Sequence, residues 1–156
     1  MPKAPATFQQ AIKSLADQEF LVSPTWLRQK MRANRVGADA DIVSFERAFV
    51  AECAKYGIPV FTHCVVRDEQ EQQRVYDEGH SAAKFGQSPH NHGMAADIIH
   101  SKRAWEIEQI EWELLGHIGF EVARRLNIKV EWGGDWKFWD PAHWQLADWR
   151  ERVWGE

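Results

Sequence analysis

Apolar side chains at positions 8, 11, 12 and 15 fall on one face of a helix, and this spacing predicts an amphipathic helix over residues 8–20. Ser23 and Pro24 then offer an N-cap and a first-turn proline for a second helix over about 25–33, which the 37–41 stretch breaks. A third helix is expected over 42–56, with Val43, Ala48, Phe49, Val50 and Cys53 on its apolar face and Gly57 at its end. The pattern changes after Pro59. The run 60–66 is short, β-branched and aromatic, which reads as a buried strand with Arg67 at its end.

Residues 68–78 are polar and rich in Glu and Gln, with Val75 and Tyr76 as anchors, so they suit a surface helix closed by Gly79. A loop leads from His80 to His90. Residues 95–99 read as a strand carrying Asp97. Trp105, Ile110, Leu114, Ile118 and Val122 recur at helical intervals and predict one long helix over 103–126, which Asn127 can cap. Residues 130–132 form a short strand, Gly133 and Gly134 a turn, and the next segment delivers Asp140 and His143. The expected class is α+β, with helices flanking a small sheet and a helical extension at the amino end.

A chain of 156 residues suits one domain, and 44% hydrophobic with 27% charged residues is a globular composition. The net charge of −4 without a basic run excludes a nucleic-acid footprint. No stretch approaches the roughly 18 apolar residues of a membrane span, and residues 1–7 lack the apolar run of a secretory signal, so synthesis in the cytoplasm is expected. Cys53 and Cys64 are read as reduced thiols. Six of the nine tryptophans, at 105, 112, 132, 136, 139 and 144, stand beside the segments rich in His and Asp, either as core or as a groove lining.

Those segments carry the chemistry. Imidazole and carboxylate suit Zn²⁺, and three such ligands from two separated segments leave a fourth tetrahedral position for water, as in catalytic zinc sites. His90 and Asp97 lie seven positions apart and need a bend between them, for which Gly93 accepts positive φ. Ser88 lacks the base and orienting acid of a serine nucleophile. His92 would point away from His90 in an extended segment.

Ser88, His90, Gly93, Ala95 and Asp97 fill every fixed place of S-x-H-x-x-G-x-A-x-D, and Asp140 stands three residues before His143. In these residues the chain resembles the M15 family of zinc peptidases, over about residues 56–146. The 131–137 segment and the His143, Trp144, Gln145 run look most like its phage endopeptidase branch. The resemblance implies the M15/Hedgehog-like fold, with Zn²⁺ bound by His90, Asp97 and His143, Asp140 as catalytic base and Arg67 steadying the oxyanion. It also implies substrate contacts at Ser88, Gln72 and Trp136. Asp135 and Glu131 are the rival bases, and Asp68 and His80 depart from the family pattern. Residues 1–156 are then one catalytic domain, with 1–40 packed on a 56–146 core. The implied activity is hydrolysis of the peptidoglycan stem peptide at L-Ala-D-Glu, by a monomeric lysin that reaches the wall through a membrane lesion. The alternatives are a D,D-carboxypeptidase and a non-catalytic zinc-stabilised wall-binding or virion protein.

Overall fold

The computed structural model describes residues 3–155. Four strands form one antiparallel sheet in the order β1-β2-β4-β3: β1 (Val60–Cys64), β2 (Ala95–His100), β3 (Val130–Trp132) and β4 (His143–Leu146). The helices are α1 (Phe8–Leu15), α2 (Pro24–Lys30), α3 (Ala40–Lys55), α4 (Glu69–Asp77), α5 (Gln109–Leu126) and α6 (Trp149–Trp154). Short 3-10 turns occupy Phe20–Val22, Pro89–His92 and Gly133–Asp135. The α+β class therefore holds.

α3 and α5 pack on each other, and α3 also covers the sheet. Phe45, Phe49, Leu115, Trp144 and Leu146 are buried in the core they share. Residues near the amino end enter the same core. Leu15 and Trp26 are buried, and the Trp26 indole donates to Val60 O of β1 at 2.9 Å. Ser23 caps α2 through its hydroxyl, which accepts from Trp26 N, with Pro24 in the first turn.

Several elements differ from their expected bounds. The first helix stops at Leu15 rather than 20, because Asp17 N donates to Gly57 O at 2.8 Å and the Asp17 carboxylate starts a new turn by accepting from Phe20 N. The long helix begins at Gln109, not 103. Its N-terminus is set by a capping box between Glu108 and Glu111, while Ala104, with φ 52°, bridges back to His100. Trp105 is thereby released from the helix and lies half-exposed at the surface. β4 and α6 carry no clear periodic signal of their own; β4 is a strand because it pairs on both sides.

Among the described residues no helix is long and apolar enough to cross a membrane.

Candidate metal centre and cleft

Sheet register builds the centre. In the β2–β4 pairing Asp97 stands directly opposite His143, so two residues 46 positions apart become cross-strand neighbours on one face. The third group arrives on the Pro89–His92 turn. Ser88 caps that turn, its hydroxyl accepting from His90 N at 3.2 Å, and the Asn91 side chain accepts from Ser88 N. Gly93 ends the turn at φ 69°, and an added Cβ there would lie 2.6 Å from Ala38 Cα. Both the positive φ and the close approach demand glycine.

The hydrogen bonds fix which imidazole nitrogens are free. His90 Nδ1 donates to Val65 O at 2.9 Å, which leaves Nε2 with a lone pair. His90 is 2% exposed, and its Nε2 has no hydrogen-bond partner although Asp97 Oδ2 lies 3.2 Å away. His143 Nε2 donates to Gln145 Oε1 at 2.9 Å, so its Nδ1 lone pair faces Asp97 Oδ1 at 3.2 Å. Once His90 Nε2 gives up its proton, two imidazole lone pairs and one carboxylate face one another. Such a donor set calls for a cation, and its nitrogen and oxygen composition fits Zn²⁺.

Charge follows the same logic in the metal-free protein. Burial disfavours a charged His90, yet the adjacent Asp97 carboxylate outweighs it and holds the imidazole at about 10. Burial likewise opposes an ionised Asp97, but His90 and His143 hold it well below the usual carboxylate range. Asp140 is pushed up by burial and by the charge of Asp97. A carboxylate so placed is a better proton acceptor than a solvated one.

These groups open into a cleft of about 910 Å³, lined also by Arg67, Trp136, Trp105, His63 and Cys64. Arg67 directs Nη1 to Gln72 Oε1 at 2.9 Å and Nη2 toward Asp97 Oδ2 at 3.6 Å. Its backbone N–H donates to His90 O at 3.0 Å, which ties the strand end to the Pro89–His92 turn. Asp140 is positioned by Gly133, whose carbonyl accepts from Asp140 N at 3.0 Å; a Cβ on Gly133 would lie 2.1 Å from Asp140 O. The Trp136 ring lies 5.2 Å from that of His143.

Two expected substrate contacts are occupied otherwise. Gln72 is fully buried, with its amide bonded to Arg67, Ser81, Ala83 and Asn91, so it stands behind Arg67 rather than in the cleft. Ser88 lines the cleft, but its hydroxyl serves as the turn cap. His92 turns away as expected, on a 3-10 turn rather than an extended strand: its Nε2 donates to Gly86 O and its ring stacks on Trp149. The rival bases differ in place. Glu131 is exposed at the cleft, and Asp135 does not line it.

Cys64 has no expected counterpart. Donor atoms of Cys64, His90 and Asp97 lie within 4.8 Å of one another, a tighter trio than one including His143. The thiol, however, sits 3.7 Å from His90 Nδ1, the nitrogen already bonded to Val65 O, so it flanks the trio of converging lone pairs. A bulge puts it there. β1 and β2 pair Thr62 with Ile98 and then Cys64 with Asp97, skipping His63.

Sequence and fold comparisons give the family of the chain. A family model described as D-alanyl-D-alanine carboxypeptidase, from the M15 peptidases, matches residues 81–146. The peptidoglycan L-alanyl-D-glutamate endopeptidase CwlK of Bacillus subtilis is 31% identical over 119 residues, covering 64% of this chain and 67% of that protein. The chain belongs to the M15 peptidase family. This M15 member is a peptidase, and its fold is shared with the Serratia marcescens L-Ala D-Glu endopeptidase ChiX. The two structures superpose with a TM-score of 0.62 at 24% identity, over 80% of this chain and 90% of the other.

Proposed function

We propose that this M15 peptidase is a zinc enzyme that hydrolyses the L-Ala-D-Glu bond of the peptidoglycan stem peptide. The observation that carries the chemistry is the convergence of the His90 Nε2 and His143 Nδ1 lone pairs on the Asp97 carboxylate, with Asp140 and Arg67 in the same cleft. The bond assignment is supported by the activity named for CwlK.

His90, Asp97 and His143 would hold the metal. Zinc held there would supply Lewis acidity toward a carbonyl and a water. Asp140 takes the proton of the attacking water and delivers it to the departing amine, so that amide and water become acid and amine. Arg67, aimed by Gln72 and by its backbone bond to His90, presents a fixed guanidinium to the oxygen that gains charge. Trp136, against His143, gives the substrate a rigid apolar wall.

The likeness of residues 131–137 to phage endopeptidases supports a lytic role, with wall access through a membrane lesion. Mass spectrometry of fragments released from purified peptidoglycan tests the assignment. New L-Ala carboxyl and D-Glu amino termini are expected; release of terminal D-Ala alone would instead establish a carboxypeptidase.

A further inference from the structure

We infer that Arg150, on α6 and beyond the span of the family match, reads a free carboxylate of the substrate beside the scissile bond. This rests on the L-Ala-D-Glu reading. Glutamate carries two carboxyl groups, and when its nitrogen forms the scissile amide and one carboxyl continues the peptide, the other is left as an anion. That anion must enter a cleft already lined by Glu71, Glu131 and Asp140, so a cation has to meet it.

Two arginines of α6 have opposite surroundings. Arg152 binds Asp39, Asp41 and Asp148 at 3.1, 2.8 and 2.8 Å, anchoring α6 to the start of α3. Arg150 lines the cleft, and its side chain has no ion pair with any described residue. The other cleft guanidiniums are engaged, Arg67 with Gln72 and Asp97, Arg74 with Glu71 and Glu78. Arg150 instead lies over the Trp149 ring, 4.6 Å from its centroid. A contact with the ring face uses none of the guanidinium N–H donors, which remain for a ligand.

Trp149 supplies the second observation. It is 1% exposed, lines the same cleft, and its indole N–H is buried without a hydrogen-bond partner. An anion held by Arg150 brings an acceptor to this wall. Trp149 also stacks on His92, two residues from His90, which places the wall beside the metal turn. The flat guanidinium and a carboxylate match as a two-pronged pair.

The test compares two synthetic stem peptides on the metal-loaded full chain, one with this glutamate carboxyl free and one with it as the primary amide. The wild-type protein should favour the acid in kcat/KM by roughly tenfold or more, mainly through KM, as a charged hydrogen bond commonly provides. Arg150→Gln should bring the ratio to about one, and Arg150→Lys to an intermediate value, because lysine keeps charge without the planar fork. In an Asp140→Asn background, calorimetric affinity for the acid peptide should fall roughly tenfold when Arg150→Gln is added. A residue that only supports α6 would lower both rates alike, and a preserved ratio in Arg150→Gln overturns the assignment. Failure of the wild-type protein to cut either peptide at Ala-Glu overturns the bond reading, and the role of Arg150 with it.

Discussion

At the scale of single residues, the candidate metal centre turns on which imidazole lone pairs are left free. His90 Nδ1 and His143 Nε2 are held by Val65 O and Gln145, so only the inward nitrogens remain for Asp97 and a cation. His90→Ala, Asp97→Ala and His143→Ala should each lose most bound zinc and nearly all activity, which metal analysis of the purified variants checks. Asp140→Asn should retain zinc and fold while losing on the order of 10² to 10⁴ in turnover, since an amide cannot accept the proton. Near-normal turnover in that variant would pass the role to Glu131. The metal-free protein makes a further prediction. His90 rises from 6.5 to about 10 on folding, so its charged form stabilises the apo-protein fully below about 6.5, and this contribution is lost as pH rises through about 10. At pH 7 to 8 zinc must displace that proton, and calorimetry in two buffers of different ionisation enthalpy should show about one proton released per zinc. The bend at Gly93 between His90 and Asp97 was legible in the sequence because it is local, whereas the meeting of Asp97 with His143, 46 positions on, was not. The burial of Gln72 behind Arg67 was not, since its partners Ser81, Ala83 and Asn91 lie on a later loop and turn.

At the scale of elements, short turns matter more than long helices. The Pro89–His92 turn aims His90, and Gly93 closes it against the backbone of Ala38. Gly93→Ala should cost about 1–3 kcal/mol in chemical denaturation and weaken zinc binding, because neither the φ nor the neighbouring backbone can yield cheaply. The start of α5 offers a contrasting case. Glu111 is fully buried, accepts two bonds from Arg103 at 3.2 and 3.0 Å, and also receives Glu108 N. Periodicity ran the helix back to 103 because Trp105 kept the interval; Glu111 holds Arg103 in a separate turn and frees Trp105 to pack on His63 at the cleft. Most element types, though not their ends, could be read from apolar spacing and caps. The ends that moved were set by partners distant in sequence, as at Asp17 and Gly57.

At the scale of the whole molecule, the amino-terminal helices belong to the same core as the four-stranded sheet. Trp26 is buried against β1, and His100 of β2 donates from Nε2 to Leu15 O at 2.9 Å. Trp26→Ala should therefore destabilise the entire chain by about 3–5 kcal/mol in one cooperative denaturation step. A separate early transition that leaves the rest of the fold intact would show instead that residues 1–40 form an independent appendage. The tryptophans divide along the same lines. Trp112, Trp132 and Trp144 are core, whereas Trp105 and Trp136 line the cleft, a division that hydrophobicity alone could not make.

The sequence by itself supplied the polar side chains of the cleft and determined the elements with local signatures, the helix caps at Ser23 and Asn127 and the bend at Gly93. Each depends on interactions spanning a few residues, so each is written in spacing. The tertiary structure alone decided which of those side chains face one another. Asp97 meets His143 because β2 and β4 share a register, Cys64 reaches the centre through a bulge, and Arg150 enters the cleft because Arg152 pins α6 to the start of α3. Strand pairing and ion pairs across more than a hundred residues leave no periodic trace in the chain, because the energies that select them exist only after the sheet and helices have packed.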